Sequence, residues 1–197
     1  MKISRILAIA SLVAAGTAAA GDRPSILFRF DGGTGNQVFR NSATGPILNT
    51  VAGVNPAGAP WGITAFGALV LSNGDIRAEG EGVLLWGGDG FGTRGGPRQV
   101  ILSLFCRAAP VPPATAGALN LVPFNSAPID LDVDGDFEIR GRLTDATGAT
   151  VPLTCGDSAD NRPILLIRSV TPANPSTGAP AAPAAWFAAG LISGKDD

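Results

Sequence analysis

Short apolar or alternating stretches, separated by turn residues, dominate the hydrophobic pattern of this chain. Glycine and proline are frequent, with 27 and 16 residues. After residue 20 no long window keeps the 3.6-residue apolar period of an amphipathic helix. The stretches have the length and composition of β-strands, and they are Ser25–Phe30, Gln37–Arg40, Pro46–Val51, Trp61–Leu71, Ile76–Trp86, Gln99–Cys106, Ala118–Val122, Ile129–Leu131, Phe137–Leu143, Ile164–Val170 and Trp186–Ile192. The pattern predicts an all-β protein, an antiparallel β-sandwich of immunoglobulin-like or jelly-roll-like type.

The clearest turn signal is the dipeptide Asn73-Gly74, which lies between two apolar stretches. Asn-Gly is typical of a two-residue hairpin turn, because both residues tolerate a positive φ. Such a turn would pair Leu71 with Ile76. Alternate side chains of the two strands then meet on one apolar face.

A second turn signal lies between Ile129 and Ile139. A three-residue loop at 133–135, with its glycine in the left-handed conformation, would oppose Leu131 to Phe137 and Ile129 to Ile139. A two-residue loop would mix apolar and charged side chains on the same face. The three-residue loop is therefore the register that we predict.

The chain after residue 20 is long enough for one hydrophobic core. We expect a single β-sandwich domain over residues 21–197. Within it, a stretch rich in proline, alanine and serine at 171–185 has few large apolar side chains before Trp186. This composition predicts an extended loop that precedes the last strand.

Residues 1–20 have the pattern of a secretory signal peptide. Lys2 and Arg5 precede a short apolar run, Ile6–Ala15, and Ala18-Ala19-Ala20 matches a small-residue cleavage site. A membrane-spanning helix needs roughly 20 apolar residues, which is about twice this run. The sequence predicts export to the periplasm or the extracellular medium, without a membrane anchor.

Three segments resemble parts of small, uncharacterised exported bacterial proteins that are rich in β-structure. These segments are Val51–Trp61, Gly82–Gly90 and Trp186–Gly190. The likeness extends over most of the chain after residue 20, and it consists of glycines, prolines and core-type aromatic residues. It implies export and a β fold, and it implies no activity.

Charge and residue usage exclude several function classes. The chain has 14 basic and 16 acidic residues, a formal net charge of −2 and scattered arginines. This pattern does not suit nucleic acid or an anionic lipid surface. The sequence has no histidine, so it has no Ser-His-Asp or Cys-His nucleophile system and no histidine metal site. We predict that the protein is not an enzyme, and carboxylates are the groups on which any catalysis would depend.

The two cysteines, Cys106 and Cys155, predict a disulfide, because an even number of cysteines in an exported chain is typical of one. Cys106 ends one predicted strand and Cys155 follows the short apolar stretch at 151–154. The bridge would therefore join two strand ends. The spacing is not the Cys-x-x-Cys of redox-active pairs, so we predict a structural role.

Four aspartates surround the second hairpin turn, namely Asp130, Asp132, Asp134 and Asp136. Alternating carboxylates beside a glycine bend are typical of the first half of a calcium loop. Asp132 and Asp136 would also face each other across the hairpin, where like charges repel unless an ion bridges them. However, position twelve of such a loop, which supplies a bidentate acid, falls on Gly141. We favour a plain solvent-exposed hairpin face and keep calcium as the alternative, with no other cofactor indicated.

Two further sets of residues could contact a ligand. The glycine-rich segment Gly87–Pro97 carries Asp89, Phe91 and Arg94, and loops of this kind often hold binding sites. Aromatic side chains on exported β-proteins can instead form a flat platform for sugar rings, the alternative being core packing. The candidates for such a platform are Trp61, Trp86 and Trp186.

These observations predict an exported, non-catalytic binding or structural module whose partner is an unidentified protein or a polysaccharide. One alternative is a carbohydrate-binding module that uses exposed tryptophans. A second alternative is a carboxylate-based hydrolase, which needs two acids roughly 5 to 9 Å apart in a cleft. Its candidate acids are the glutamates Glu79, Glu81 and Glu138.

Overall fold

The computed structural model describes residues 23–41, 45–107, 121–157 and 162–194, and these ranges form an all-β protein without an α-helix. None of these ranges holds a helix with the length and apolarity that crossing a membrane requires. The predicted signal peptide, residues 1–20, lies outside the described residues. The strands, in chain order, are β1 (Ile26–Gly35), β2 (Phe39–Asn41), β3 (Gly45–Ile47), β4 (Trp61–Gly62), β5 (Ala65–Leu71), β6 (Asp75–Glu81), β7 (Leu84–Leu85), β8 (Gln99–Arg107), β9 (Leu121–Asn125), β10 (Ile129–Asp130), β11 (Phe137–Arg142), β12 (Ile164–Thr171) and β13 (Ala182–Gly194).

Nine strands form one antiparallel sheet in the order β10-β8-β12-β13-β1-β5-β6-β11, with β9 also paired to β8. The sheet curls until its two ends meet. Residues 131–136 connect β10 to β11 directly, and Asn125 and Thr144 exchange backbone hydrogen bonds of 2.8 and 3.1 Å. The pairs β2-β3 and β4-β7 form two small additional sheets. The predicted all-β, antiparallel class is confirmed, whereas a sandwich of two sheets is not, because the hydrogen-bonded path through the main sheet is continuous.

The main core lies inside the curled sheet, and Phe105, Leu166 and Trp186 form a separate, smaller buried cluster. Inward positions alternate with outward ones along the strands, as on β6, where Ile76 and Ala78 are buried and Arg77 and Glu79 are exposed. This two-residue period is the ordinary consequence of the pleat. The largest fully enclosed side chains are Phe28, Phe30 and Phe187.

The hairpin at Asn73-Gly74 exists, but the predicted register is wrong by one residue. Val70, and not Leu71, lies opposite Ile76. The turn is a three-residue loop at 72–74, in which the Gly74 N–H donates to the Leu71 carbonyl over 2.8 Å. Gly74 has a φ of +84° whereas Asn73 does not have a positive φ, as a two-residue type I′ turn would require. In the observed register the inward residues Val70 and Ile76 lie opposite each other, and their burial selects this register.

The three-residue loop at 133–135 is confirmed. The Asp132 N–H donates to the Asp136 carbonyl over 3.1 Å, and Gly135 has a φ of +81°. The predicted ladder beyond this loop is wrong, because β10 pairs with β8 and β11 pairs with β6. The two strands separate after the loop since each has a different neighbour in the curled sheet. Local turn chemistry therefore determined the loop but not the strand pairing.

The disulfide between Cys106 and Cys155 is confirmed, and both residues are buried. Cys106 lies near the end of β8, as predicted. Cys155 lies in a turn and not at a strand end, since its N–H donates to the Pro152 carbonyl over 3.0 Å. The bridge therefore attaches the irregular segment 143–157 to the sheet.

The loop rich in proline and alanine is shorter than the predicted 171–185. β12 continues to Thr171 and β13 begins at Ala182, so these strands pair along the ends of the stretch. The side chain of Arg168 holds β13 there, because it donates to the carbonyls of Ala184 at 2.8 Å and Pro183 at 3.1 Å. Burial lowers the pKa of Arg168 from its usual value. Backbone pairing compensates here for the lack of large apolar side chains.

Candidate functional site

One end of the curled sheet brings together two loops that are distant in sequence. We call this the loop end, formed by residues 82–95 and 131–136. The Val83 N–H donates to the Gly135 carbonyl, and the Gly82 N–H donates to Asp136 Oδ1, both over 2.8 Å. The glycine-rich segment and the aspartate hairpin, which the sequence suggested as separate candidates, are therefore neighbours.

The structure buries two of the three candidate tryptophans. Trp61 is 4% exposed and packs on Phe187 with ring centroids 4.1 Å apart. Trp186 is 2% exposed, and its indole N–H donates to the Asn49 carbonyl over 3.1 Å. Burial of these large apolar side chains stabilises the fold. Trp61 and Trp186 are therefore core residues, and a platform of several exposed tryptophans is not formed.

Trp86 is the exception, with 50% of its surface exposed. Its indole lies against the backbone of Gly62, in the space that a side chain at this position would occupy. The backbone N–H of Trp86 donates to the Pro60 carbonyl over 2.9 Å. Trp86 is therefore held in place on one side by the β4 strand while about half of it remains in contact with solvent.

The loop that follows Trp86 is closed by its own backbone. The Leu85 N–H donates to the Thr93 carbonyl, and the Gly92 N–H donates to the Leu85 carbonyl, both over 2.8 Å. Phe91 projects from this turn with 69% of its surface exposed, and Asp89 is exposed as well. In the neighbouring hairpin, Val133 and Asp134 are also exposed. We call Trp86, Asp89, Phe91, Val133 and Asp134 the aromatic surface.

Arg94, the other candidate ligand contact in this loop, has a structural role. It is half-buried, and its Nη1 donates to the Leu131 carbonyl over 2.8 Å. This charged hydrogen bond joins the two loops of the loop end. One donor of the guanidinium is thereby used within the protein, and contact of Arg94 with a ligand stays a prediction.

We expect Arg94→Ala to lower the free energy of unfolding by about 1.5 kcal/mol, because the Leu131 carbonyl would lose a charged donor. Urea denaturation measures this change. The matched control is Arg98→Ala, which removes an exposed arginine from the same segment and should change stability by no more than about 0.5 kcal/mol. Equal stability of the two variants would contradict the assigned role.

The carboxylates of Asp132 and Asp136 accept hydrogen bonds from backbone N–H groups of the loop end. Asp132 Oδ1 accepts from the N–H groups of Asp134 and Asp136, at 2.9 and 2.8 Å. Asp130 accepts from the side chain of Gln99 at 3.1 Å. In the described part of the chain, no three or more histidine, cysteine, aspartate or glutamate side chains are grouped to hold a metal. The calcium site stays a prediction, and the carboxylates of Asp130, Asp132 and Asp136 accept hydrogen bonds within the protein.

A second surface, which the sequence reasoning missed, lies on the outer wall of β1, β5, β6 and β11. A shallow groove of about 320 Å³ runs across these strands. The charged residues that line it are Arg29, Asp31, Arg77, Glu79, Glu138 and Arg140. The alternation of charges along β6 and β11 was visible in the sequence, but the neighbouring positions on β1 depend on the sheet order.

The structure does not bring all three candidate acids of the hydrolase alternative together. Glu79 lines the groove and lies opposite Glu138 in the ladder, whereas Glu81 does not line it. Glu138 also pairs with Arg140 at 2.7 Å, and both side chains are strongly exposed. A carboxylate pair with raised pKa values needs burial or isolation from cations. Catalysis by these acids stays a prediction that the open, arginine-lined groove does not favour.

Two exposed surfaces therefore stand out in the described part of the chain. The aromatic surface combines apolar rings with acids at the loop end, and the groove presents arginines and acids together on the wall of the sheet. Both surfaces are defined by the exposure and the positions of their residues. Comparison with protein-family models, with curated proteins and with solved structures finds no match for this chain.

Proposed function

We propose that this protein is an exported, non-catalytic binding module that holds a carbohydrate on the exposed side of Trp86. The observation that carries this proposal is the indole of Trp86, which is seated against Gly62 and yet half exposed. Exposed aromatic rings on an ordered surface mark interaction sites, because burying them against a partner releases water from apolar area. The ring of Trp86 needs little reorganisation to bind, which lowers the entropic cost.

The other exposed residues of the loop end support a carbohydrate as the ligand. A sugar ring has an apolar face of C–H groups and a rim of hydroxyl groups. Trp86 and Phe91 offer flat apolar surface for the first, and the carboxylates of Asp89 and Asp134 offer acceptors for the second. Export is part of the proposal, and the Cys106–Cys155 disulfide supports it because such bonds persist in oxidising compartments.

The test is binding to soluble polysaccharides, with β-glucan, xylan and galactomannan as probes. We expect at least one of them to retard the wild-type protein in affinity electrophoresis and to change its tryptophan fluorescence. Trp86→Ala should raise the dissociation constant by a factor of about 10 to 100, the loss of roughly 1.4 to 2.7 kcal/mol of stacking.

The matched control is Leu153→Ala, which removes another exposed apolar side chain. Leu153 is three residues from Gly156, which lies against Phe28 near the start of β1. The seat of Trp86, Gly62, lies beside Gly35 at the other end of this strand, so the control position is away from the proposed site. This variant should bind like the wild type. Retardation by none of the three probes, or equal binding by Trp86→Ala, would contradict the proposal.

Gly62→Ala tests whether the seat of Trp86 matters as well as its presence. A Cβ at this position would overlap the indole, so the ring must leave its place. We expect the variant to remain folded, to shift the fluorescence of Trp86 and to bind polysaccharide about as weakly as Trp86→Ala. Gly58→Ala is the control, because a Cβ there meets no atom within 4 Å. Full binding by Gly62→Ala would show that the position of the ring is unimportant.

A further inference from the structure

The outer wall of the sheet carries two parallel rows of opposite charge. The ladders place one residue of each row on each of β1, β5, β6 and β11, and the rows are two residues apart along every strand. Both rows therefore point outwards on one face, roughly 7 Å apart, with about 4.8 Å between adjacent strands. The arginine row is Arg29, Leu69, Arg77 and Arg140, and the acidic row is Asp31, Gly67, Glu79 and Glu138.

Within one molecule these rows set like charges side by side. Arg77 lies opposite Arg140, and Glu79 lies opposite Glu138. Such pairs are destabilising in an antiparallel ladder. Among the described residues, one ion pair within 4 Å forms inside the rows, between Arg140 and Glu138. The remaining four charges of the rows, two of each sign, have no such partner in the described ranges.

The arrangement is complementary to itself. A two-fold axis that lies in the plane of contact, between the rows and parallel to them, would place the arginine row of one copy over the acidic row of the other. Arg29 would then face Asp31, Arg77 would face Glu79, and Arg140 would face Glu138. On each of the three strands that carry charges, β1, β6 and β11, the second copy supplies the opposite sign.

The uncharged positions of the rows also match. The same rotation places Leu69 over Gly67 of the second copy. The space above Gly67 is open, since the nearest atom to a Cβ there is Glu79 Oε1 at 3.9 Å. Leu69 is half-buried and would gain apolar contact in this gap. The open space above Gly67 and the charges thus favour the same pairing.

We propose that this face binds a second copy of the chain in a two-fold symmetric dimer. The rows contain three arginines and three acids, so a polyanion or a polycation would meet as much repulsion as attraction. A second copy is the occupant that pairs all of them, and an isologous contact of this kind closes on itself. The aromatic surface is not part of the face, so the dimer presents two copies of Trp86 and gains avidity for a repetitive ligand.

Sedimentation velocity of the purified protein tests this inference. We expect a dimer at low ionic strength, with a dissociation constant that rises by roughly tenfold or more between 20 mM and 500 mM salt, because exposed charges are screened. Trp86→Ala should dimerise like the wild type, so failure of carbohydrate binding and failure of dimerisation are separate results. A wild-type protein that stays monomeric at low salt up to about 1 mM would overturn the proposal, because its dimer would then be too weak to form at lower concentrations.

Two charge-reversal variants make the test specific. Arg77→Glu with Arg140→Glu has an acidic face, and Glu79→Arg with Glu138→Arg has a basic face. Each should be monomeric alone, and an equimolar mixture should form a heterodimer. Arg23→Glu with Arg98→Glu, which reverses two exposed arginines outside the groove, is the control and should dimerise.

Thermal unfolding verifies that each of these variants is folded. If a reversal variant does not fold, the neutral variant Arg77→Gln with Glu79→Gln replaces it, and it should raise the dimer dissociation constant. A mixture of folded acidic and basic variants that does not associate, or a neutral variant that dimerises like the wild type, would overturn the proposed pairing.

Discussion

Loss of the disulfide should lower the free energy of unfolding by about 4 kcal/mol, the largest effect that we expect from a change at any single link in this protein. The bond closes a loop of 49 residues, and the entropy that such a link removes from the unfolded chain gives this magnitude. Cys106→Ala with Cys155→Ala is the variant, and denaturant unfolding is the measurement. For a domain of this size the melting temperature should fall by roughly 10 °C.

The control for this prediction is the reductant. Reduced wild-type protein should unfold near the midpoint of the double variant, and the variant itself should be insensitive to reduction. The affected region should be the segment 143–157, which the bond attaches to β8. A double variant that keeps its stability within about 1 kcal/mol would show that this segment is held by other contacts, such as the Leu143 N–H to Gly74 carbonyl bond of 2.9 Å.

The second large effect concerns Asn36, a fully buried polar residue next to the end of β1. Its Oδ1 accepts from the Trp61 N–H at 2.7 Å, and its Nδ2 donates to the Ala57 carbonyl at 3.0 Å. Its own backbone N–H donates to the Phe187 carbonyl at 2.8 Å. Through its side chain and its backbone, Asn36 thus joins the segment 57–61 to β13.

We expect Asn36→Ala to lower the free energy of unfolding by about 3 kcal/mol, because buried donors and acceptors would lose their partners in a site that water does not reach. Asn36→Asp should cost at least as much, since a carboxylate cannot donate to Ala57 and adds a buried charge. Denaturant unfolding measures both. Gln37→Ala, at an exposed neighbour, should change stability by no more than about 0.5 kcal/mol.

Asn36 also positions the loop end, so its loss should affect binding. Trp61 and Gly62 form β4, and Gly62 is the seat of Trp86. The Asn36→Ala variant should therefore bind polysaccharide more weakly than wild type even below its unfolding transition. If Asn36→Ala were as stable as Gln37→Ala, the buried amide would contribute nothing to the stability of the fold. The expected effect of Asn36 on binding at Trp86 would then have no basis.

Features that depend on local chemistry were predictable from the sequence. Gly135 determined a three-residue loop, because its φ of +81° is open mainly to glycine. The two cysteines determined the disulfide, since no other cysteine competes for either partner. The two-residue alternation on β6 indicated which side chains face the core. Each of these inferences needs only the identity and spacing of the residues and not the order of strands in the sheet.

The register at Gly74 shows where local chemistry is insufficient. Asn73-Gly74 permits both a two-residue and a three-residue turn, and both keep Gly74 in the left-handed region. The burial of Val70 opposite Ile76 selects the second. That burial depends on the strands that cover this face, and these strands come from other parts of the chain.

The candidate sites divide in the same way. The residue type alone does not say which of the three tryptophans is exposed. In the folded chain Phe187 covers Trp61, whereas Trp86 lies against Gly62 and stays half exposed. The hydrogen bond of Arg94 to the Leu131 carbonyl depends on the neighbouring hairpin, which is distant in sequence. The charged rows require β1 to lie beside β5 and β11 beside β6, an order that no single stretch encodes.

The sequence by itself therefore determined the all-β class, the disulfide and one loop, because turn chemistry, strand period and covalent pairing act between residues whose identity is enough to predict the outcome. The tertiary structure alone decided the curled sheet, the exposure of Trp86 and the charge rows. The physical reason is that burial and cross-strand contact depend on which distant segments become neighbours, and that choice is made by the free energy of the whole packed chain.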